Sequence, residues 1–235
     1  MITKNKQHKG GHMITPELVK TDDGSHTLFI SDPGEHYHST FGAVQESRHI
    51  FIDAGLRQCK KAVLNVFEAG FGTGLNAYLT ALEISGTKQV IRYITVEKYP
   101  LPPEIWSKLN YPAFFPGGDT ELFQRIHQAA WNEEVKITEN FSLLKQSSDL
   151  TICDFSAFPL FDLIYFDAFS PEKQPELWKT AIFLQLAGHC LPGAKILTYC
   201  AKGAVRRSLS EAGFTPERIP GPPGKREILR GTRNL

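Results

Sequence analysis

The sequence predicts an α/β protein built on a mostly parallel β-sheet. From residue 62 onward, apolar runs of strand length alternate with helical patterns, which is typical of βαβ units. The last two strand-like runs are joined by the short loop "GPPGK" instead of a helix, which indicates an antiparallel edge. Seven strand-like runs are present, so we expect a seven-stranded sheet.

Each element is predicted from its local pattern. The apolar run "AVLNVFE" predicts the first buried strand, and "TGLNAYLTALEIS" the helix that follows it. Asp119 is expected to cap a helix over "DTELFQRIHQAAW", and Gly213 to end the last helix. The other expected strands are "QVIRYITVE", "NFSLLKQ", "FDLIYFDAF", "PGAKILTYC", "TPERIP" and "REILRG", and the other expected helices are "LPPEIWSKLN", "QPELWKTAIFLQLAGHCL" and "GAVRRSLSEAGF".

The N-terminal quarter has a different character. Turn residues separate short β-rich runs in "HTLFISDPGEHYHSTFGAVQESRHIFIDAG". We therefore expect a small β-appendage over residues 14–60 that caps the active edge of the main domain, residues 61–235. Residues 1–13 resemble a leader or tag, and we expect them to be disordered.

Composition excludes several classes of protein. Of the 235 residues, 41% are hydrophobic and 22% charged, which are ordinary globular values. With neither an apolar run of membrane-spanning length nor a secretory signal, we expect a cytoplasmic protein without a membrane partner. The four cysteines form no Cys-x-x-Cys pair, so reduced thiols and no metal site are expected. Residues 195–235 hold nine Lys or Arg against three Asp or Glu, which suggests a localised anionic partner.

The segment "FEAGFGTGLNAY" has three glycines at alternate positions after the first strand. A dinucleotide fingerprint starting at Gly70 needs a third glycine where Leu75 stands. Without Cβ atoms at Gly70, Gly72 and Gly74, the backbone can run flat against a ligand. Glu68 would repel a pyrophosphate, but it suits a ligand with an ammonium group and an uncharged adenosine. The loop therefore predicts an S-adenosylmethionine site.

Two further acids are expected at the ends of neighbouring strands. Glu97 ends the second strand, 23 residues after Gly74, where a carboxylate can accept hydrogen bonds from both ribose hydroxyls. Asp149 follows the third strand and can contact the adenine amine. Each acid taken alone also fits a solvated carboxylate at a strand end. Together, beside the glycine loop, these acids favour a methyl-donor site.

The segment "YFDAFSPEKQPELW" brings Asp167 to the carboxyl end of a strand, where open α/β sheets bind ligands. Methylation of an amine needs the neutral form, whereas alkyl amines titrate near ~10.4. Asp167 can hold the amine, direct its lone pair and receive a proton. Phe169 offers a stacking face for a base, and Pro171 stiffens the loop. The structural alternative is an Asp that caps the next helix.

Five basic side chains form a third cluster. They are Lys202, Arg206, Arg207, Lys225 and Arg226. Positive charges on a pre-organised backbone suit phosphate contacts. An Arg–Glu network with Glu211 and Glu227 would explain the same charges equally well.

Four segments together resemble the methyltransferase half of the bacterial tRNA 5-methylaminomethyl-2-thiouridine biosynthesis enzymes, the MnmC type. They are "FEAGFGTGLNAY", "DLIYFDAFSPEKQPELW", "YCAKGAVRRSLSEAGF" and "GPPGKREIL". The likeness runs from residue 25 to residue 232 and includes "YHSTFGAVQESRHIFI". Its most specific part is the string Asp-x-Phe-Ser-Pro-x-Lys-x-Pro-x-x-Trp.

The resemblance implies a Rossmann-like class I fold that transfers a methyl group from S-adenosylmethionine to the aminomethyl nitrogen of a tRNA wobble uridine. The product would be 5-methylaminomethyl-(2-thio)uridine, with Asp167 as the catalytic residue. The implied donor-binding residues are Glu68, Gly70, Gly72, Gly74, Asn76, Glu97 and Asp149. The implied acceptor-binding residues are Glu46, Phe169, Ser170, Pro171 and Lys173, together with the five basic residues above.

Many enzymes of this type carry a fused flavin-dependent oxidase that makes the aminomethyl group from a carboxymethylaminomethyl precursor. Three residues follow residue 232 here, so we expect the stand-alone, MnmD-like form without FAD. A separate enzyme would then supply the aminomethyl precursor, which this chain would not produce itself.

Two other hypotheses stay open on the sequence. One is an N-methyltransferase or aminopropyltransferase-like enzyme that acts on a small amine, because polyamine-forming enzymes share the glycine loop and the strand-end Asp. The other is a catalytically silent RNA-binding module, which would not need the acids of a donor site.

Overall fold

A computed structural model describes residues 16–115 and 118–234, and two β-sheets organise them. The smaller sheet is antiparallel and consists of β1 (Glu17–Lys20), β2 (His26–Ile30) and β3 (Glu35–His36). The leader expected over residues 1–13 lies outside the described residues.

The larger sheet has eight strands. They are β4 (Val63–Ala69), β5 (Val90–Glu97), β6 (Glu134–Thr138), β7 (Phe141–Ser147), β8 (Phe161–Phe166), β9 (Cys190–Thr198), β10 (Phe214–Pro220) and β11 (Glu227–Arg233). Their order is β10-β11-β9-β8-β4-β5-β7-β6. The five inner strands from β9 to β7 are parallel, whereas β6, β10 and β11 pair antiparallel. The predicted α/β class with a mostly parallel sheet is therefore confirmed.

The prediction of seven strands was one too few, because β6 was missed. Its sequence "EVKIT" alternates polar and apolar residues, and only Ile137 is buried. A five-residue strand at the sheet edge buries little apolar surface and leaves a weak pattern in the sequence.

In the part of the chain that the structure describes, six α-helices connect the strands. They are α1 (Ala43–Ser47), α2 (Leu75–Glu83), α3 (Pro103–Trp106), α4 (Thr120–Gln128), α5 (Thr180–Gly188) and α6 (Gly203–Glu211). The predicted cap of α4 is present, because Asp119 Oδ1 accepts a hydrogen bond of 2.7 Å from the Leu122 N–H. The helix expected over "LPPEIWSKLN" contains only the single turn α3.

Only the first part of the expected β-appendage over residues 14–60, as far as β3, consists of β-strands. The second half is helical, with α1 followed by a π-helical turn, Arg48–Asp53. Buried Ala43, Ser47 and Phe51 recur every four residues, and the Phe51 ring lies 4.9 Å from the Tyr165 ring between centroids. This helical periodicity outweighs the β-branched and aromatic residues that suggested a strand. The domain boundary after residue 60 stays a prediction.

The hydrophobic core lies on both faces of the large sheet. Alternate residues of β4 point to opposite sides, so Val66 packs with the Tyr78 side of α2 while Phe67 packs with the Phe183 side of α5. Within residues 16–115 and 118–234, no helix has the length and apolar character needed to cross a membrane.

Phe183→Ala tests the second core face. The Phe183 ring is fully buried and lies 4.9 Å from Phe166 between centroids. Truncation should lower the free energy of unfolding by about 3–5 kcal/mol, because it removes buried apolar surface and leaves a cavity. Leu184→Ala, next in the same helix and 51% exposed, should change it by no more than about 0.5 kcal/mol. Equal losses in urea unfolding would contradict this packing.

Candidate active site

A large cavity lies at the carboxyl ends of β4, β5 and β8, with a volume of about 1270 Å³. This is the edge at which open α/β sheets bind ligands. Ten of the eighteen sequence-predicted site residues line it: Glu46, Gly70, Gly72, Asn76, Glu97, Asp149, Asp167, Phe169, Lys173 and Lys225. The other eight lie behind its wall or outside it: Glu68, Gly74, Ser170, Pro171, Lys202, Arg206, Arg207 and Arg226.

The glycine loop between β4 and α2 adopts a backbone that side chains would disturb. Gly72 has φ +49° and Gly74 has φ +71°, both in the left-handed region. A Cβ at Gly72 would lie 3.0 Å from the Tyr37 ring, and one at Gly74 would lie 2.7 Å from His127 Nε2. Contacts with the chain's own side chains therefore favour glycine at these two positions, and the close approach of a ligand to the loop stays a prediction.

Two buried histidines support this loop through Thr73. His38 Nε2 lies 2.7 Å from Thr73 Oγ1, and His127 Nε2 donates to the Thr73 carbonyl at 3.1 Å. The His127 ring also stacks on Trp106, with centroids 4.6 Å apart. Burial lowers the pKa of His38 to about 4 and that of His127 to about 3. Both rings are therefore neutral at physiological pH.

The Asn76 side chain joins two acids from different strands. Its Nδ2 donates to Glu68 Oε1 at 3.0 Å and to Asp167 Oδ2 at 2.7 Å. The sequence prediction placed Asn76 with the methyl donor, whereas its amide lies between these two carboxyl groups. One amide group thereby fixes the positions of both acids.

Glu68 lies beneath the glycine loop and is fully buried. Burial raises the pKa of Glu68 well above its ordinary value; the Asn76 hydrogen bond opposes this shift and the neighbouring Asp167 charge adds to it. Among the described residues, Glu68 Oε2 and the hydroxyls of Tyr93 and Thr95 have no hydrogen-bond partner. Glu68 therefore favours its neutral form.

Asp167 follows β8 and faces the cavity. Burial raises its pKa to about 7, while the Asn76 hydrogen bond lowers it, the Glu46 charge raises it and the Lys225 charge lowers it. Within the described chain, the Asp167 carboxylate accepts from Asn76 and caps no helix, so the capping alternative was wrong. A carboxyl group with this pKa exchanges protons readily at neutral pH.

Glu97 ends β5 and Asp149 follows the neighbouring strand β7, as the sequence predicted, and both line the cavity. Glu97 Oε2 accepts from the Gly72 N–H at 3.1 Å, and Oε1 accepts from the Tyr99 N–H at 2.7 Å. Asp149 pairs with Lys98 at 2.8 Å and accepts two hydrogen bonds from Thr151. The hydrogen bonds from Lys98 and Thr151 lower the pKa of Asp149 to about 2, so it stays ionised.

Lys225 belongs to the basic loop, residues 221–226 between β10 and β11. Its ammonium group points into the cavity. Lys225 Nζ lies 3.2 Å from Glu46 Oε1 and 5.0 Å from the centroid of the Tyr199 ring. The other oxygen of the nearly buried Glu46 accepts from the Ser39 N–H at 2.8 Å. Glu46 and Lys225, 179 residues apart in the chain, therefore meet beside Asp167.

The N-terminal hairpin, which consists of β2, β3 and the turn between them, forms the outer wall of the cavity. It contacts the Phe-Ser-Pro loop, residues 169–171. Glu35 accepts from the Ser170 N–H at 3.2 Å and from its hydroxyl at 3.1 Å. Lys173 Nζ donates to the Pro33 carbonyl at 2.7 Å, and the rings of Phe169 and Tyr37 meet edge to face. Ser170 and Lys173 thus bind the hairpin, and of the two only Lys173 also lines the cavity.

Sequence reasoning missed four residues that line the cavity, three of them in or next to the hairpin. Glu35, Tyr37, His38 and Tyr199 all line the cavity, yet none of them was singled out. Tyr37 and His38 lie within the segment "YHSTFGAVQESRHIFI" quoted for the resemblance. No spacing within that segment marks them, because their position depends on contacts with residues far along the chain.

The remaining basic residues lie outside the cavity. Lys202 pairs with Glu172, while Arg206, Arg207 and Arg226 are exposed and form no ion pair among the described residues. Within the described chain, none of the five basic residues pairs with Glu211 or Glu227, since Glu227 pairs with Arg218 and Glu211 accepts from Thr180. A shallow depression of about 340 Å³ adjoins the cavity and is lined by Tyr199, Cys200, Ala201, Lys202, Lys225, Arg226 and Glu227.

Residues 120–234 match a family model described as S-adenosyl-L-methionine-dependent methyltransferase. The chain is 34% identical over 173 residues to a tRNA 5-methylaminomethyl-2-thiouridine biosynthesis bifunctional protein MnmC from Campylobacter hominis, covering 72% of this chain and 25% of that protein. A protein of the same name from Pseudomonas aeruginosa is 32% identical over 224 residues, covering 85% and 32%. The chain thus spans between a quarter and a third of the length of these curated relatives.

The fold is also similar to a solved structure, that of MNMC2 from Aquifex aeolicus. The two chains superpose with a TM-score of 0.71 and 26% sequence identity, covering 93% of this chain and 70% of the other. The similarity therefore includes nearly all of the described fold.

Asp167→Asn tests the buried acid through the pH dependence of stability. The pKa of Asp167 is about 7 in the folded protein, above its ordinary 3.8, so the native state binds the extra proton between these values. Ionising Asp167 therefore weakens the wild type as pH rises through this window. The free energy of unfolding of Asp167→Asn should increase relative to wild type from about pH 5 to pH 8.

Asp149→Asn is the matched control. The pKa of Asp149 is lowered to about 2, so its ionised carboxylate stabilises the fold at every pH above its ordinary value, and that contribution is lost only in strong acid. Its difference from wild type should stay constant over the same range. A constant difference for Asp167→Asn as well would rule out the raised pKa.

Proposed function

The chain belongs to the S-adenosyl-L-methionine-dependent methyltransferases, and on that premise we propose that it methylates the aminomethyl nitrogen of 5-aminomethyl-(2-thio)uridine at the wobble position of tRNA. The product is 5-methylaminomethyl-(2-thio)uridine. The observation that carries the proposal is Asp167, an acid with a pKa of about 7, in a cavity shared with the glycine loop. The relatives named for this tRNA modification support the choice of acceptor.

The residues at the glycine-loop end fit the methyl donor. Small-molecule sites usually occupy roughly 300–1,000 Å³, so a cavity of about 1270 Å³ has room for a donor and an acceptor base. Gly70 and Gly72 would allow the backbone to approach the donor closely, Glu97 would accept hydrogen bonds from its ribose hydroxyls, and Asp149 would contact its adenine amine. When bound, S-adenosylmethionine supplies an electrophilic methyl group on a positively charged sulfur.

Asp167 controls the protonation state of the acceptor amine. The amine arrives mainly as an ammonium, which has no lone pair. Asp167 accepts a hydrogen bond from the amine, takes up a proton and aims the lone pair at the methyl carbon. A nitrogen–carbon bond forms as the carbon–sulfur bond breaks, and the electron pair of that bond stays on sulfur. Glu46 adds a second carboxylate beside Asp167, and Lys225 balances its charge.

Exposed cations outside the cavity support a nucleic-acid substrate over a free small amine. Arg206, Arg207 and Arg226 have no ion-pair partner among the described residues, and unpaired cations on a firm backbone are suited to phosphates. A small amine would not need them. A separate enzyme that supplies the aminomethyl precursor and a cytoplasmic location, where tRNA is modified, belong to the same proposal.

A methyl-transfer assay tests the proposed reaction. The protein is incubated with labelled S-adenosylmethionine and bulk tRNA from a strain that lacks this activity, followed by nucleoside mass analysis. We expect label in 5-methylaminomethyl-(2-thio)uridine at the wobble position. Label transferred to free diamines but not to tRNA would overturn the proposal in favour of a small-amine methyltransferase.

Asp167→Asn should retain donor binding but reduce turnover by a factor of about 10²–10⁴, the usual contribution of a positioned acid or base. The reason is that an amide accepts a hydrogen bond from the amine but takes up no proton. Donor affinity is measured by calorimetry and turnover by the tRNA assay. Asp154→Asn, an exposed substitution at a turn outside the cavity, should leave both unchanged. Unchanged turnover in Asp167→Asn would remove Asp167 from the mechanism.

A further inference from the structure

Phe41 is a large apolar side chain at the rim of the cavity, and 51% of it is exposed. Thr40, its neighbour in the chain, lines the cavity, as does Lys225. Phe41 is thus within one residue of the cavity wall. Nothing in the hydrophobic core accounts for an aromatic ring at this place, because Phe41 belongs to neither core cluster.

The Phe41 ring is supported from below by the basic loop. Gly224 has φ +82°, and a Cβ at this position would lie 2.1 Å from Phe41 Cδ2. The ring therefore rests directly on the glycine backbone, which leaves it no room to move inward. An aromatic ring held against a rigid turn, with the rest of its surface exposed, has little conformational entropy to lose when a flat ligand covers it.

The positive charges near Phe41 identify the kind of ligand. Arg226, two residues after Gly224, is exposed and forms no ion pair among the described residues. It lines the shallow depression together with Lys202, and this depression shares Tyr199 and Lys225 with the cavity. The cavity, the basic depression and the Phe41 ring are therefore continuous along one rim.

We propose that this rim binds the nucleotide that adjoins the acceptor in a single-stranded RNA segment, with its base stacked on Phe41 and its phosphate at Arg226. The inference rests on the proposed function, since the acceptor nucleotide then occupies the cavity. Proteins recognise unpaired RNA by stacking bases on aromatic rings beside a basic track. A protein partner is disfavoured because a single ring among charges lacks the broad apolar area of such interfaces.

Substitutions at Phe41 separate base stacking from apolar packing. The probe is an anticodon stem-loop RNA with 5-aminomethyluridine at the wobble position, and its affinity is measured by fluorescence anisotropy. Phe41→Ala should weaken binding roughly 5- to 150-fold, the range for one stacked base. Phe41→Leu should lose most of this affinity as well, whereas Phe41→Trp should keep it. Leu184→Ala, equally exposed at 51% on α5, should bind like wild type.

Two further measurements isolate the neighbouring nucleotide. The free nucleoside 5-aminomethyluridine has no neighbouring base, so Phe41→Ala should methylate it at the wild-type rate, and donor affinity should not change. Wild-type affinity of both Phe41→Ala and Phe41→Leu for the stem-loop would overturn the inference. If Phe41→Ala does not fold, equal affinities of Phe41→Leu and Phe41→Trp overturn it instead.

The failure of the proposed function gives a different result. In that case the wild-type protein transfers no methyl group to the stem-loop or to tRNA, whatever residue stands at position 41. The wild type could instead methylate the stem-loop while the Phe41 variants bind it undiminished. That result would leave the proposed function standing and refute only the proposal that a base stacks on Phe41.

Discussion

The arrangement of the cavity depends on one amide group. Asn76, in the first turn of α2, donates to Glu68 at the end of β4 and to Asp167 after β8. Two carboxyl groups this close repel each other when both are ionised, and burial raises the pKa of each. The shared amide offsets part of that cost and fixes the spacing between two strands and a helix. The glycine loop runs between these groups, so its path is set by the same contact.

The cavity has an inner wall from the sheet and an outer wall from the N-terminal hairpin. The inner wall follows from the parallel sheet, because the carboxyl ends of β4, β5 and β8 meet at one edge. The outer wall has no such origin and is held by a few polar contacts, Glu35 with Ser170 and Lys173 with Pro33. The strongly conserved geometry of open α/β sheets thus accounts for one wall only, and individual side chains account for the other.

Sequence reasoning was accurate wherever local pattern and sheet geometry decide the outcome. The inner strands, the Asp119 cap and the acids at the strand ends followed from apolar runs and spacing. It was inaccurate where contacts between residues far apart in the sequence determine the structure. The segment "GPPGK" suggests that Lys225 is a surface cation, yet its ammonium group pairs with Glu46 in the cavity. The helical turn at Phe51 depends on packing against Tyr165. No pattern in the chain records which residue lies across a cavity.

The hairpin contacts also have a consequence for the order of assembly. Glu35 and Ser170 are 135 residues apart in the chain, so the hairpin leaves the ribosome long before its partner loop exists. Contacts between residues so far apart in the sequence form late in folding. Closing the long loop between them costs conformational entropy before the contact stabilises the fold. A hairpin synthesised well before its partner loop is therefore among the last segments to reach its place, and the cavity gains its outer wall only when the sheet behind it is complete.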